Sequence, residues 1–344
     1  MIRSGAWAEL AALARALGAA VATSIGGKGS IAETDPLSLG VMGSNGGLPW
    51  RHRLVREADL VLFAGGGTGS VTTEKWSLPA PGATVLQLDP DAALLGRNHR
   101  LAGALQADAR LGLAALAEEV AALGTDGGRW DPEGIASARR EHEEEVAPLF
   151  ASDERPVRPE RLVGELARLL PADAVVLADP GTPCPYLSAY LRLPRAGRWF
   201  VSPRAFGALG YALPASAGAA LARPDGGRVV AVMGDGSFGI SAGELETLVR
   251  LALPVTLVVC NNAGYGWIKA GQKSRGGRYY SVDLGDVDHA AVARAFGMRA
   301  RRVEDPGELA AALGHALAEP GPYLLDVVTQ PLEEARAPVS KWIA

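Results

Sequence analysis

The sequence predicts an α/β protein made of two doubly wound parallel-sheet domains, and three observations predict it. Apolar, β-branched runs of strand length alternate with segments of helical periodicity along 344 residues, the pattern that layers helices on both faces of a parallel sheet. The runs are apolar throughout, as strands covered on both faces are. Most end in clusters of Gly, Asp, Asn or Pro. Polar turns therefore gather at the carboxyl edge of the strands, where open α/β sheets bind ligands.

Residues 1–125 read as the first domain. Ser4 to Leu17 is a helix with Ser4 as N-cap and Gly18 at its end. A strand follows, Ala20 to Ser24, then the loop Ile25-Gly26-Gly27-Lys28-Gly29-Ser30 and a turn with Glu33-Thr34-Asp35-Pro36. A short segment to Gly43 leads to a helix over Leu48 to Glu57. Ala58 to Ala64 is a buried strand ending in Gly65-Gly66-Gly67-Thr68-Gly69, and Thr84 to Leu88 another, ending in Asp89-Pro90. Asp108 to Leu123 closes this Rossmann-like domain as a helix. Only Met1-Ile2-Arg3 precedes its first helix, whereas a doubly wound sheet places a strand there. The domain is therefore expected to lack its first strand.

Residues 126–156 read as a linker with Gly127, Gly128 and the charge run Arg139 to Glu145, a solvated helix face. The second domain spans 157–344. A helix, Pro159 to Leu170, precedes a strand, Ala174 to Ala178, that ends in Asp179-Pro180-Gly181-Thr182. Arg198 to Val201 is a short strand, and Phe206-Gly207-Ala208-Leu209-Gly210-Tyr211 leads into a small-residue helix, Pro214 to Leu221. Arg228 to Met233 is a strand ending in Gly234-Asp235-Gly236-Ser237, after which Leu245, Leu248 and Leu251 mark a helix. Pro254 to Cys260 is the next strand, stopping at Asn261-Asn262-Ala263-Gly264. Helices over Asp288 to Phe296 and Pro306 to Leu317, with strands over Arg301 to Glu304 and Tyr323 to Val328, complete the domain. The tail from Pro331, with Glu333, Glu334, Lys341 and Trp342, is expected to cover the active site.

Composition narrows the function. A net charge of −4 without a basic block gives nucleic acid or an anionic membrane no electrostatic purchase. No apolar run reaches membrane-spanning length, and the N-terminus lacks signal-peptide organisation. Two cysteines, Cys184 and Cys260, make no disulfide framework, which fits a reducing cytoplasm.

The chemistry concentrates between Val229 and Trp267. Asp235 offers a carboxylate and Asn262 an amide oxygen, both hard ligands suited to Mg²⁺. Gly236 and Ser237 open a helix, whose free N–H groups and dipole favour a phosphate. A magnesium diphosphate would bridge the two turns. The plainer reading is that both turns are only turns. Against it, GDG is followed by a strand ending in Asn261-Asn262, with Asn262 27 residues after Asp235, a pairing far more specific than GDG alone.

This stretch resembles the diphosphate-binding (PP) domain of thiamine-diphosphate-dependent enzymes, in the acetolactate synthase and benzoylformate decarboxylase branch. The resemblance implies that Asp235, Asn262 and the carbonyl of Gly264 hold Mg²⁺, and that the backbone of Gly236 and Ser237, after Gly234, binds the diphosphate. Gly181-Thr182 matches the turn near the diphosphate, Gly207 the residue whose carbonyl accepts from the cofactor's 4′-amino group, and Leu209 the wedge that bends the cofactor into a V. After Asn262 come Tyr265, Gly266, Trp267, Ile268 and Lys269. Tyr265, Trp267 and Lys269 are the residues expected to face substrate, Lys269 offering charge to a carboxylate or a coenzyme A phosphate. Pyruvate decarboxylases carry glutamate at the position of Ile268, so a simple acetaldehyde-releasing decarboxylase is disfavoured.

Ala20 to Gly43, Ala58 to Ala64 and Gly69 to Thr73 look like the family's middle domain, which carries FAD in acetolactate synthases. Gly43-Ser44-Asn45-Gly46 replaces a histidine-containing loop and Gly65-Gly66-Gly67 a common arginine, so an empty domain is expected rather than FAD. The pyrimidine-binding domain, with the glutamate that drives formation of the cofactor's ylid, is not recognisable. Glu33, Glu74 and Glu244 do not substitute for it. The expectation is a split lyase or carboligase acting on a 2-oxo acid, with a separate pyrimidine-domain subunit in a two-fold hetero-oligomer, docked by strand addition. Two other readings stay open: an inactive paralogue that regulates a full-length enzyme, and a plain nucleotide-binding protein.

Overall fold

The computed structural model describes residues 1–124, 131–223, 225–331 and 337–340. Gly127, Gly128 and the tail residues Glu333, Glu334, Lys341 and Trp342 lie outside them. The chain divides into two compact units, one of residues 1–144 with 192–198 and a short stretch from Val339, the other of most of 145–191 and 199–338.

The first unit begins with α1 (Trp7–Leu17), followed by β1 (Val21–Thr23), β2 (Ser38–Val41), α2 (Pro49–Glu57), β3 (Leu60–Ala64), β4 (Thr84–Asp89), β5 (Gly103–Gln106) and α3 (Ala109–Leu123). Its strands form two parallel sheets, β1-β2 and β3-β4-β5. Helix α1 spans both. Leu13 joins the core beneath β4 with Leu88 and Leu113, Ala14 joins Val21 and Ile31, and Leu10 packs against both clusters. Gly18 ends α1 in the left-handed conformation, as its position predicts. Ser4 is not its N-cap. That place falls to Ala6, without a side-chain bond, while Ser4 donates 2.6 Å to Asp108, whose carboxylate caps α3. Beside β1, Lys28 and Glu33 form a buried ion pair, 1% and 5% exposed. Lys28 Nζ donates to both carboxylate oxygens at 2.6 and 2.5 Å, and the Leu193 N–H adds a 2.8 Å bond.

After α4 (Pro132–Phe150) come α5 (Pro159–Leu169), β6 (Val175–Ala178), α6 (Pro183–Tyr190), β7 (Phe200–Val201) and α7 (Ala212–Leu221). β8 (Val229–Gly234), α8 (Asp235–Ser241), α9 (Leu245–Arg250), β9 (Val255–Asn261) and α10 (Gly266–Ser274) follow. The chain then forms α11 (His289–Ala295), β10 (Arg299–Val303), α12 (Pro306–Ala318) and β11 (Tyr323–Val328). The second unit is built on a parallel six-stranded sheet, order β10-β11-β9-β8-β6-β7. Its central strands β8 and β9 are buried almost throughout, as a two-faced apolar run requires. The helix expected after Ser237 is two helices, α8 and α9, joined by a 3₁₀ turn at Ala242–Glu244. Small residues let α7 pack closely on β8, with Ala212, Ala217 and Ala220 in the core.

Both thiols are buried. Burial, then the neighbouring charge of Asp235, pushes the Cys260 thiol up to about 12. Neither Cys184 nor Cys260 should react with Ellman's reagent in the native state at neutral pH, and both should after denaturation. Fast stoichiometric labelling of native protein would contradict this core.

Candidate active site

Three neighbouring strands, β6, β8 and β9, end at one edge, and each delivers a polar turn. The turn after β8 begins with Gly234 in extended conformation, so α8 starts at Asp235. Asp235 is 5% exposed. Its Oδ1 accepts from Gly236 N at 2.7 Å, and its Oδ2 accepts from Asn262 N at 3.2 Å and Gly264 N at 3.1 Å. One carboxylate thus ties the β8 turn to the β9 turn. Burial raises its pKa, against these three N–H bonds and the His289 charge, which lower it.

The β9 turn is held from outside as well. Tyr265 N donates to Val282 O and Leu284 N to Ala263 O, both at 2.8 Å. Ala263 takes a left-handed φ of 53°, which turns Asn262 and Gly264 back toward Asp235. Gly264 O already accepts from Gly266 N at 2.9 Å, leaving the carbonyl's second lone pair for another partner. The Tyr265 ring lies on Gly236: a Cβ there would meet Tyr265 Cε1 at 2.5 Å, so only glycine fits beneath it.

The β6 turn meets the segment before α7. A Cβ on Gly181, where φ is 105°, would lie 4.0 Å from Leu209 Cδ2, so these two sequence-selected residues are neighbours. Thr182 is buried at the start of α6. Gly207 takes φ 78°, and apart from its chain neighbours no atom lies within 4 Å of a Cβ placed on it. Its N–H is held by Pro203 O at 2.7 Å.

The organiser of this corner is Asp179, which sequence reasoning passed over as part of a turn. Fully buried, it accepts from Gly210 N at 2.9 Å and Ala212 N at 2.8 Å. It also bonds the Ser237 side chain, and burial raises its carboxyl above the usual range. A lone carboxylate closing an apolar strand was the available signal.

The remaining sequence-selected residues sit on α10. Trp267 is half-buried, and Ile268 is exposed. Lys269 pairs with Asp283 at 2.8 Å and lies 5.1 Å from the Tyr279 ring centre, so its charge is committed within this segment.

Among the described residues no three His, Cys, Asp or Glu side chains gather as a metal cluster. A metal here would take one carboxylate, one amide and one carbonyl oxygen, a hard set that leaves room for phosphate oxygens and water, as Mg²⁺ prefers. Asp235, already oriented by backbone N–H groups across two turns, fits that role. A surface pocket lined by Arg294, Arg299, His315 and Tyr323 lies at the amino ends of β10 and β11, at the opposite edge of the sheet.

Family comparison agrees with the fold. Residues 1–116 match the central domain of thiamine pyrophosphate enzymes and residues 179–327 their C-terminal TPP-binding domain. The chain belongs to this family. Among curated relatives it is 28% identical over 343 residues to a probable acetolactate synthase large subunit of Methanococcus aeolicus, covering 96% of this chain and 57% of that one. It is 30% identical to acetolactate synthase 1 of Zea mays, covering 93% and 51%. A putative thiamine pyrophosphate-containing protein of Bacillus subtilis is 29% identical, with 93% and 54% covered. The chain spans about half the length of the curated relatives it matches, most of them named as acetolactate synthases.

Proposed function

We propose that this chain is the diphosphate-binding subunit of a thiamine-diphosphate-dependent enzyme that decarboxylates a 2-oxo acid and can join the acyl unit to an acceptor. The observation that carries this reading is Asp235, held between the β8 and β9 turns by three backbone N–H groups. In this reading Asp235, Asn262 and the Gly264 carbonyl hold Mg²⁺, and the backbone of Gly236 and Ser237 meets the diphosphate at the start of α8. When bound, thiamine diphosphate supplies the electron sink that lets a 2-oxo acid lose carbon dioxide.

This chain's own residues position and enclose. Leu209, beside Gly181, wedges the cofactor, and Gly207 presents its carbonyl. Tyr265 packs over the diphosphate turn, and Trp267 and Lys269 border the substrate side. Leu209→Ala removes apolar volume without touching a polar group. It should weaken thiamine diphosphate binding by roughly tenfold, about 1.4 kcal/mol, with Mg²⁺ affinity unchanged in calorimetry.

The proton-transferring glutamate and the pyrimidine-binding half come, in this reading, from a separate subunit in a two-fold hetero-oligomer within a reducing cytoplasm. The relatives support it in so far as the two matched domains answer to only part of their length. Tagged chain purified from its native host should bring down a single-domain partner of roughly 150–220 residues, and the pair should turn over pyruvate or benzoylformate. A native polypeptide carrying the pyrimidine-binding domain in line would refute the split arrangement. Recovery with a full three-domain enzyme, without turnover under any pairing, would favour the second reading, a cofactor-binding regulator.

A further inference from the structure

Behind the β9 turn lies a buried polar cluster to which neither the metal nor the diphosphate reading gives a role. Asn261, the last residue of β9, is 3% exposed, and Asp326 on β11 is fully buried. Asn261 Nδ2 donates to Asp326 Oδ1 at 3.0 Å and to Val287 O at 3.0 Å, and lies 3.1 Å from His289 Nδ1. With acceptors on that side, the amide oxygen faces the turn, where it accepts from Ala263 N at 3.4 Å. Asp326 is fixed in turn: its Oδ2 accepts from His289 N at 3.0 Å and from Arg302 at 3.3 Å. The His289 ring meets Phe238 of α8 edge-on at 5.1 Å.

We infer that Asp326, acting through Asn261, is a positioning residue for the metal turn. The physical chain is short. Ala263 must hold a left-handed φ for Asn262 N and Gly264 N to converge on Asp235 Oδ2, a conformation that costs a residue with a Cβ about 1 kcal/mol or more. The Asn261 side chain holds that turn from one side, and Asp326 fixes the amide so that its oxygen, not its nitrogen, faces Ala263. Without the carboxylate the amide keeps Val287 O but loses the second acceptor that fixes its nitrogen on that side, and a nitrogen turned to face the Ala263 N–H would open the turn.

The inference rests on the proposed metal role of Asp235. Its test compares wild type, Asp326→Asn and a control core variant, Leu313→Ala in α12. Each is measured for Mn²⁺ affinity by electron paramagnetic resonance with thiamine diphosphate present, for melting temperature, and for hydrogen exchange at the Ala263 and Gly264 amides. Asp326→Asn should weaken Mn²⁺ binding by roughly 10–100-fold, the range for outer partners of metal ligands, and speed exchange at both amides. Leu313→Ala should lower the melting temperature and leave both readouts unchanged. Unaltered Mn²⁺ affinity and exchange in Asp326→Asn would overturn the inference, as would an equal loss in Leu313→Ala. Should wild type itself take up no Mn²⁺, the metal reading fails, and amide exchange alone still decides the positioning role.

Discussion

Asp235→Asn abolishes Mg²⁺-dependent cofactor binding while the fold survives: this is the largest functional effect expected of a single substitution in this chain. The asparagine keeps the shape but removes the charge that draws the cation. It also turns an NH₂ toward at least one of the backbone N–H groups of Gly236, Asn262 and Gly264 that Asp235 now accepts. Loss of a direct ligand should exceed the roughly 100-fold seen for outer-shell partners, and calorimetry with Mg²⁺ and thiamine diphosphate measures it. Near-native affinity in this variant would remove Asp235 from the proposed metal site.

The same carboxylate sets a pH dependence whose sign follows from its burial. Its pKa is raised in the folded chain, burial being the first cause. For a raised acid, stability is fully present below the unfolded value and is lost as pH rises through the folded one. The metal-free fold should therefore lose this contribution at a pH above the ordinary carboxylate range, while Mg²⁺, competing with the proton, binds more tightly over that same rise. Calorimetric titrations at several pH values should show affinity falling on acidification earlier than an exposed aspartate would produce, and the melting temperature of metal-free Asp235→Asn should lack the corresponding pH dependence.

Lys28→Met gives the largest expected loss of stability. Lys28 and Glu33 are buried side by side, and burial outweighs the partner in lowering the lysine's pKa. Removing the lysine leaves Glu33 buried without its ammonium, a change that costs about 3–5 kcal/mol and lowers the melting temperature on the order of 10 °C. Exposed Lys75→Met serves as the control and should stay within about 0.5 kcal/mol. Equal melting temperatures for the two variants would show that the pair contributes nothing.

The strands of the second unit were legible because parallel, two-faced burial writes itself as unbroken apolar runs: Tyr323–Val328 falls where the sequence puts it, and β8 and β9 within a residue or two. β2 and β5 were not, since Ser38–Val41 and Gly103–Gln106 are short and contain glycine, and their strand character comes from pairing with β1 and β4. α6 was hidden by two prolines in its first three residues, and α10 by the glycines of Gly266–Ser274. At the site, the polar turns that end β6, β8 and β9 were readable from residue identity. The carboxylates behind them were not, because Asp179 and Asp326 act on backbone N–H groups and an amide brought near only by the fold. Periodicity carries no record of such long-range bonds.

The two sheets of the first unit bear on how this protein behaves in a tube. β1 and β2 pair only with each other, and β3 and β5 each pair only with β4, so each sheet has two edge strands, each with one side unpaired among the described strands. The β3 edge is Leu-Val-Leu-Phe-Ala, partly accessible along its length, with Leu60 49% exposed. A greasy, uncharged, proline-free edge is a template for any extended chain that meets it, including another molecule of the same kind. As concentration rises, self-association of this polypeptide is expected to start along those five residues.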